Sequence, residues 1–255
     1  MKPSRRYEEF LLQTGYVQDA AQLHALALLD QLQERLSQQN DKVLQKMSLV
    51  SSLFKRFSSQ EEPLSGLYFW GGVGTGKTFI MDIFFESLPF KEKKRYHFHH
   101  FMQMIHEGLG KTENKQEPLE EIAKHFARDT RVLCLDEFVV TDIGDAMLIA
   151  RLLDALFHKG VVLVTTSNTP PEDLYKEGLQ RARFLPAIDL IVHHCQVSQL
   201  DSGTDYRSLA LAQTQLYQFP HDEKALNNVQ EYVQNHLLSG SSEGSITIKG
   251  REIQY

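Results

Sequence analysis

The chain has 255 residues, of which 42% are hydrophobic and 24% charged, the balance of a packed globular protein with room for one large α/β domain or two small ones. Its 27 Lys and Arg against 33 Asp and Glu leave a formal charge of −6, which argues against bulk nucleic acid as the main partner, because non-specific phosphate binding needs a net basic face. No apolar run approaches the roughly 18 residues of a membrane span, and the opening MKPSRRYEEF has neither an apolar signal core nor transit-peptide character. Cys134 and Cys195 both fall in apolar, strand-like segments, so no disulfide framework is implied and the chain reads as soluble, reduced and cytoplasmic.

Residues 1–65 read as an N-terminal helical segment with a linker. Asp19 is placed to cap a helix whose apolar face is Ala25, Leu29, Leu32 and Leu36, with Arg35 near its C-terminal end. A second helix is expected within Asn40–Lys55, and Ser58–Ser65, with Pro63, is a polar linker. Residues 66–200 alternate strand and helix. Strands are predicted at Leu67–Trp70, Arg95–Phe101, Arg131–Leu135, Val161–Thr166 and around His194–Val197, with helices at Gly76–Leu88, Met102–Gly108, Glu117–Arg128 and Asp142–His158. That alternation predicts an α/β fold with a mostly parallel sheet flanked by helices. Residues 201–255 form a C-terminal extension: a helix over Asp222–Leu238, a flexible Ser239–Ser245, and a hairpin over Ile246–Tyr255 about Lys249-Gly250. The chain stops inside that hairpin, as a truncated chain would.

Gly71-Gly72-Val73-Gly74-Thr75-Gly76-Lys77-Thr78 matches G-x-x-x-x-G-K-[ST] in full, directly after a strand and opening a helix. Glycines permit positive φ and let backbone N–H groups curl around phosphate oxygens, and the helix N-terminus adds its dipole. Lys77 is placed to reach the β/γ-phosphates of ATP, the Thr78 hydroxyl to ligate Mg²⁺, and Phe79 closes the nucleotide-binding run. Val132–Leu135 then delivers Asp136 and Glu137 at a strand end, Asp136 for the magnesium and Glu137 as the base that polarises water. Two acids there, after a P-loop, favour ATP hydrolysis over GTP hydrolysis or kinase chemistry. Asn114-Lys115-Gln116-Glu117 lacks the final Asp of a guanine-reading motif.

Asn168, at the tip of the strand after Val161, is placed to hold water or the γ-phosphate; an Asn starting the turn before Thr169-Pro170-Pro171 is the plainer reading. Arg181 and Arg183 either reach the ATP of a neighbouring subunit as an arginine finger or sit on a solvated face paired with Glu172 or Glu177.

The runs LYFWGGVGTGKTFIMDIFFESLP, HFHHFM, VLCLDEFVVTDIGDAM, TTSNTPPEDLYKEGLQRARFLPAI and DYR resemble the ZapE-type cell-division ATPases of the AAA+ class, densely over Leu67–Arg207. Asp19-Ala20-Ala21-Gln22 is similar to the family's start. The resemblance implies a P-loop AAA+ fold and a homo-oligomeric ATPase that associates with FtsZ and is recruited to the division site. It assigns Lys77 and Thr78 to Walker A, Asp136 and Glu137 to Walker B and Asn168 to sensor 1, and it prefers Arg181 over Arg183 as the finger. AAA+ proteins continue into a helical lid with a sensor-2 arginine. Here only Asp222–Leu238 reads as helix after the core, so the lid is expected to be incomplete.

Tyr96-His97-Phe98-His99-His100-Phe101 invites a zinc reading, yet on a strand His97 and His99 share one face and His100 takes the other, with no fourth ligand. A histidine at that strand tip is instead a candidate to gate Glu137, with His99 singled out. Gln22 is either an exposed helix residue or a reader of the adenine edge, to which a carboxamide offers a paired donor and acceptor. A nucleic-acid-loading ATPase of the helicase-loader type is the alternative function, and Lys91–Arg95 is its one cationic patch.

Overall fold

The computed structural model describes residues 1–14, 18–48, 64–111, 117–200, 245–248 and 251–254. They fall in two compact units, Met1–Asp205 and Tyr206–Tyr255. The first unit holds a parallel sheet of five strands: β1 (Gly66–Trp70), β2 (Lys93–His97), β3 (Val132–Asp136), β4 (Val162–Ser167) and β5 (Cys195–Gln199). Their spatial order is β2-β3-β4-β1-β5, so both phosphate-type strand ends, β1 and β3, flank β4.

Strand periodicity builds a core on each face of this sheet. Leu67 and Phe69 of β1, Val132 and Cys134 of β3, and Val162 and Val164 of β4 pack with α1 (Pro3–Thr14), α2 (Ala20–Ser48) and α3 (Lys77–Ser87). The alternate residues, Tyr68, Leu133, Leu135 and Leu163, pack with α4 (Phe98–Lys111), α5 (Pro118–Ala127), α6 (Ile143–His158) and α7 (Leu185–His194). Asp19 caps α2, its Oδ1 accepting from the Ala21 and Gln22 N–H groups at 2.7 and 3.0 Å. Asp142 caps α6 in the same way through Gly144 and Asp145.

Several predicted boundaries move. The expected strand Arg95–Phe101 ends at His97, and α4 begins at Phe98. Phe98, Phe101, Met102 and Ile105 are buried at helical spacing, and burying that stripe overrides the local alternation. His99 and His100 therefore lie on a helix, and the strand-face argument about them does not apply. No separate helix starts at Asn40, because α2 runs unbroken to Ser48; residues 49–63 lie outside the described residues. Helix α1 falls within the segment 1–65 that reads as helical, though without bounds of its own, and α7 is not anticipated from the sequence.

In the second unit, β6 (Ser245–Ile248) and β7 (Arg251–Gln254) pair antiparallel, with Ile246 opposite Ile253, as the predicted hairpin requires; Lys249-Gly250 itself lies outside the described residues. The predicted helix Asp222–Leu238, the segment around Asn114-Lys115 and the motif Asp205-Tyr206-Arg207 lie outside the described residues.

Candidate active site

Parallel strands end on the same side, so β1, β3 and β4 deliver three loops to one edge of the sheet. The loop Gly71–Gly76 leaves β1 and turns into α3, with Gly74 at φ 85 and Gly76 at φ 83. Both values lie in the left-handed region that a side chain penalises. Gly71 is fixed for another reason: a Cβ there would stand 2.0 Å from the carbonyl oxygen of Leu200, just past β5. The Gly71 N–H donates to the Ser167 carbonyl at 3.2 Å, tying the loop's start to the end of β4. Lys77 Nζ folds over the loop and donates to the carbonyls of Gly71 and Gly72 at 2.8 and 2.6 Å. Thr78 is exposed on the first turn of α3, as are Gly72 and Val73 in the loop. Phe79 faces the other way, its ring 4.5 Å from that of Phe10 and 6.1 Å from that of Tyr7.

At the end of β3 two adjacent carboxylates take opposite environments. Asp136 is buried at 1% exposure, whereas Glu137 is exposed. The strand is buried along its whole length, and Glu137, the first residue past it, sits at φ 53, an uncommon conformation for a residue with a side chain. Thr166 of β4 holds this turn. Its Oγ1 donates to Asp136 Oδ1 at 3.3 Å and accepts from the Glu137 N–H at 3.1 Å, while its carbonyl accepts from the Phe138 N–H at 2.7 Å. Arg95 of β2 occupies the other side of Asp136 and also pairs with Asp82 of α3. None of Thr166, Arg95 and Asp82 was singled out from the sequence. A signal existed for Arg95, the last of three successive cations in a strand that ends beside the acidic pair.

Asn168 follows β4 and is exposed, beside the Thr166 that organises the acidic turn. The loop after it is shaped by Tyr175 at φ 52: a Cβ at Gly178 would lie 2.2 Å from that ring, and the Tyr175 hydroxyl donates to the Leu179 carbonyl at 3.0 Å. It ends in a 3₁₀ turn, Arg181–Arg183. Arg181 donates to the Glu172 carbonyl within the same loop, and Arg183 is exposed. His97, the last residue of β2, is registered opposite Asp136, while His99 sits on α4. Gln22 is buried under the Gly71–Gly76 loop, with its Nε2 donating to the Thr75 carbonyl at 3.3 Å; it is not an exposed helix residue.

A hard-oxygen donor set is present at this edge: the Thr78 hydroxyl, and Asp136 Oδ1, which accepts from the Thr166 hydroxyl. Such donors fit Mg²⁺, which takes one or two carboxylate or hydroxyl oxygens and keeps several waters.

The family model described as AFG1-like ATPase matches residues 1–255. Cell division protein ZapE of Escherichia coli (strain K12) is 45% identical over 226 residues, covering 87% of this chain and 60% of that protein. Lactation elevated protein 1 homolog B of Danio rerio is 37% identical over 211 residues, covering 77% of this chain and 42% of that protein. The chain thus spans about 60% of the length of the bacterial relative and less of the fish one. The AMPPCP-bound DnaA of Aquifex aeolicus superposes with a TM-score of 0.50 over 88% of this chain and 64% of that chain, at 13% identity. At that identity the likeness concerns the fold alone, which is the P-loop AAA+ architecture.

Proposed function

The chain belongs to the AFG1-like ATPase family, and from that premise we propose that it hydrolyses ATP with Mg²⁺ at the β1–α3 loop. The observation that carries this is the placement of a buried Asp136 and an exposed Glu137 on one Thr166-held turn, beside the Lys77 loop. Backbone N–H groups of the loop and the N-terminus of α3 bind the phosphates, and Lys77 exchanges its two loop carbonyls for phosphate oxygens. Thr78 and Asp136 hold the magnesium ion, which when bound neutralises charge on the β- and γ-phosphates. Glu137, solvent-facing, orients the attacking water, and Asn168 steadies that water or the γ-phosphate. Gly71–Gly76, with Thr78 and Phe79, makes up the nucleotide seat.

The resemblance to ZapE-type ATPases extends the proposal. The protein works as a homo-oligomer on a partner in cell division, FtsZ, at the division site. What supports this reading is the 45% identity to a relative named for cell division. Within the oligomer a finger arginine reaches a neighbour's ATP. The family pattern favours Arg181, whereas exposure favours Arg183, since Arg181 is already turned to Glu172. Among the described residues no helix is long and apolar enough to cross a membrane.

ATP turnover measured across protein concentration, with Arg181→Ala and Arg183→Ala alongside, tests the shared site. Specific activity should rise with concentration and collapse in one arginine variant; flat activity insensitive to both would refute a shared site. Co-sedimentation with FtsZ filaments in ATP tests the partner, and no co-pelleting of wild type at low salt would remove it.

A further inference from the structure

Gln22 has both ends of its carboxamide engaged. Nε2 donates to the Thr75 carbonyl at 3.3 Å, and Oε1 accepts from the Tyr7 hydroxyl at 2.8 Å. The residue is 4% exposed and Tyr7 only 1%, so this chain of bonds runs through the interior from α1, through α2, to the loop before α3. Contact with the loop is close: a Cβ at Gly76 would lie 2.5 Å from Gln22 Nε2. Tyr7 and Phe10 of α1 also pack on Phe79, the third residue of α3, so α1 meets both sides of the loop-to-helix junction.

A trans peptide points its C=O and N–H in opposite directions. Drawing the Thr75 carbonyl towards Gln22 therefore turns the Gly76 N–H away from Gln22, to the loop's other side. Such N–H groups are what a phosphate loop offers its anion. Because the Thr75 carbonyl can only accept, the carboxamide takes one orientation, its NH₂ towards the loop and Oε1 towards the Tyr7 hydroxyl, which holds that end in place.

We infer that Tyr7 and Gln22 are positioning residues that set the Thr75–Gly76 peptide for phosphate, and that Gln22 does not read the base. The inference rests on the nucleotide reading of the loop. It makes the N-terminal helices part of the phosphate site although neither residue touches the ligand.

The test compares the intact chain with Gln22→Met, which keeps length and loses both bonds, and Tyr7→Phe, which keeps the ring and loses one. Calorimetric Kd values for ATP, GTP and inorganic tripolyphosphate are measured with kcat for ATP. Gln22→Met should weaken all three ligands by the same factor, about tenfold, with kcat within about twofold. Tyr7→Phe should move them in the same direction by less, and because its packing is intact it answers even if Gln22→Met folds poorly. A changed ATP-to-GTP ratio with tripolyphosphate binding unchanged would make Gln22 a base reader and overturn the inference, as would wild-type affinities in both variants. Lys77→Ala separates the two failures: if it binds tripolyphosphate like wild type, the nucleotide reading itself has failed.

Discussion

Arg95 of β2 grips Asp136 of β3 with two groups, Nε and Nη2 both reaching Oδ2, at 2.7 and 2.6 Å. The same guanidinium sends Nη1 to Asp82 of α3, so one cation ties the first strand pair to the helix that follows the phosphate loop. Burial works against the Arg95 charge, but the bonds from Asp82 and Asp136 outweigh it and raise its pKa. Removing one member of a buried ion pair leaves the other uncompensated, which costs about 3–5 kcal/mol. Arg95→Met should lower stability by about that amount in urea unfolding. Asp82 is half exposed, so Asp82→Asn should cost about 1 kcal/mol or less. Equal effects from the two substitutions would contradict this division of roles.

Loop glycines should not be equivalent. Gly71→Ala drives a methyl to 2.0 Å from a backbone oxygen of Leu200, and the β1–β5 pairing must shift to admit it. Gly72→Ala meets only a methyl of Thr75, at 4.0 Å. Thermal unfolding should show a large fall in Tm for the first and almost none for the second; the reverse order would mean that the loop lies elsewhere.

The phosphate loop and the acidic strand end were legible because each couples a local motif to a buried apolar strand, and a pattern with two independent supports is hard to misread. The β2–α4 boundary was not. In Tyr96–His99 aromatic and histidine residues alternate like a strand, while Phe98, Phe101, Met102 and Ile105 repeat like a helix, and packing on β3 and α5 decides between them. Helix α7 hid behind Pro186 and a length of ten residues. Gln22 is visible as a candidate in the sequence, but its partner is not: Tyr7 lies 15 residues away on α1, and a helical reading of residues 1–65 does not say which side chains of two helices meet. Thr166 resembled any other β-branched strand residue, and its role appears only where β4 lies against β3.

Thr166 gives a sharper catalytic prediction. Thr166→Val keeps shape but removes the donor to Asp136 and the acceptor for the Glu137 N–H. A lost buried hydrogen bond costs about 1–3 kcal/mol. If that loss falls on the acidic turn, kcat should drop by about tenfold or more with KM for ATP changed little. A rise in KM at constant kcat would place Thr166 in nucleotide binding instead.

His194 should make stability depend on pH. Its ring stacks on Phe157 at 4.2 Å, and burial, then the charges of His193 and His158, lower its pKa from 6.5. The unfolded chain therefore takes up this proton first as pH falls. The contribution is fully present above about 6.5 and is lost as pH falls through the lower folded value. Urea midpoints at pH 7.5 and 5.5 should differ less in His194→Phe, which keeps the stacking, than in wild type. An unchanged difference would assign the acid sensitivity to other groups.

The central claim is that Lys77 and Glu137 serve one ATP-hydrolysing centre. Its most direct test is Mg²⁺-dependent phosphate release from ATP by wild type, Lys77→Ala and Glu137→Gln, with ATP binding measured on the same samples. The account predicts that Lys77→Ala loses binding and turnover together, whereas Glu137→Gln keeps binding and loses turnover by at least 100-fold, on the order of a missing general base. Turnover at the wild-type rate in Glu137→Gln, or intact ATP binding in Lys77→Ala, would contradict it.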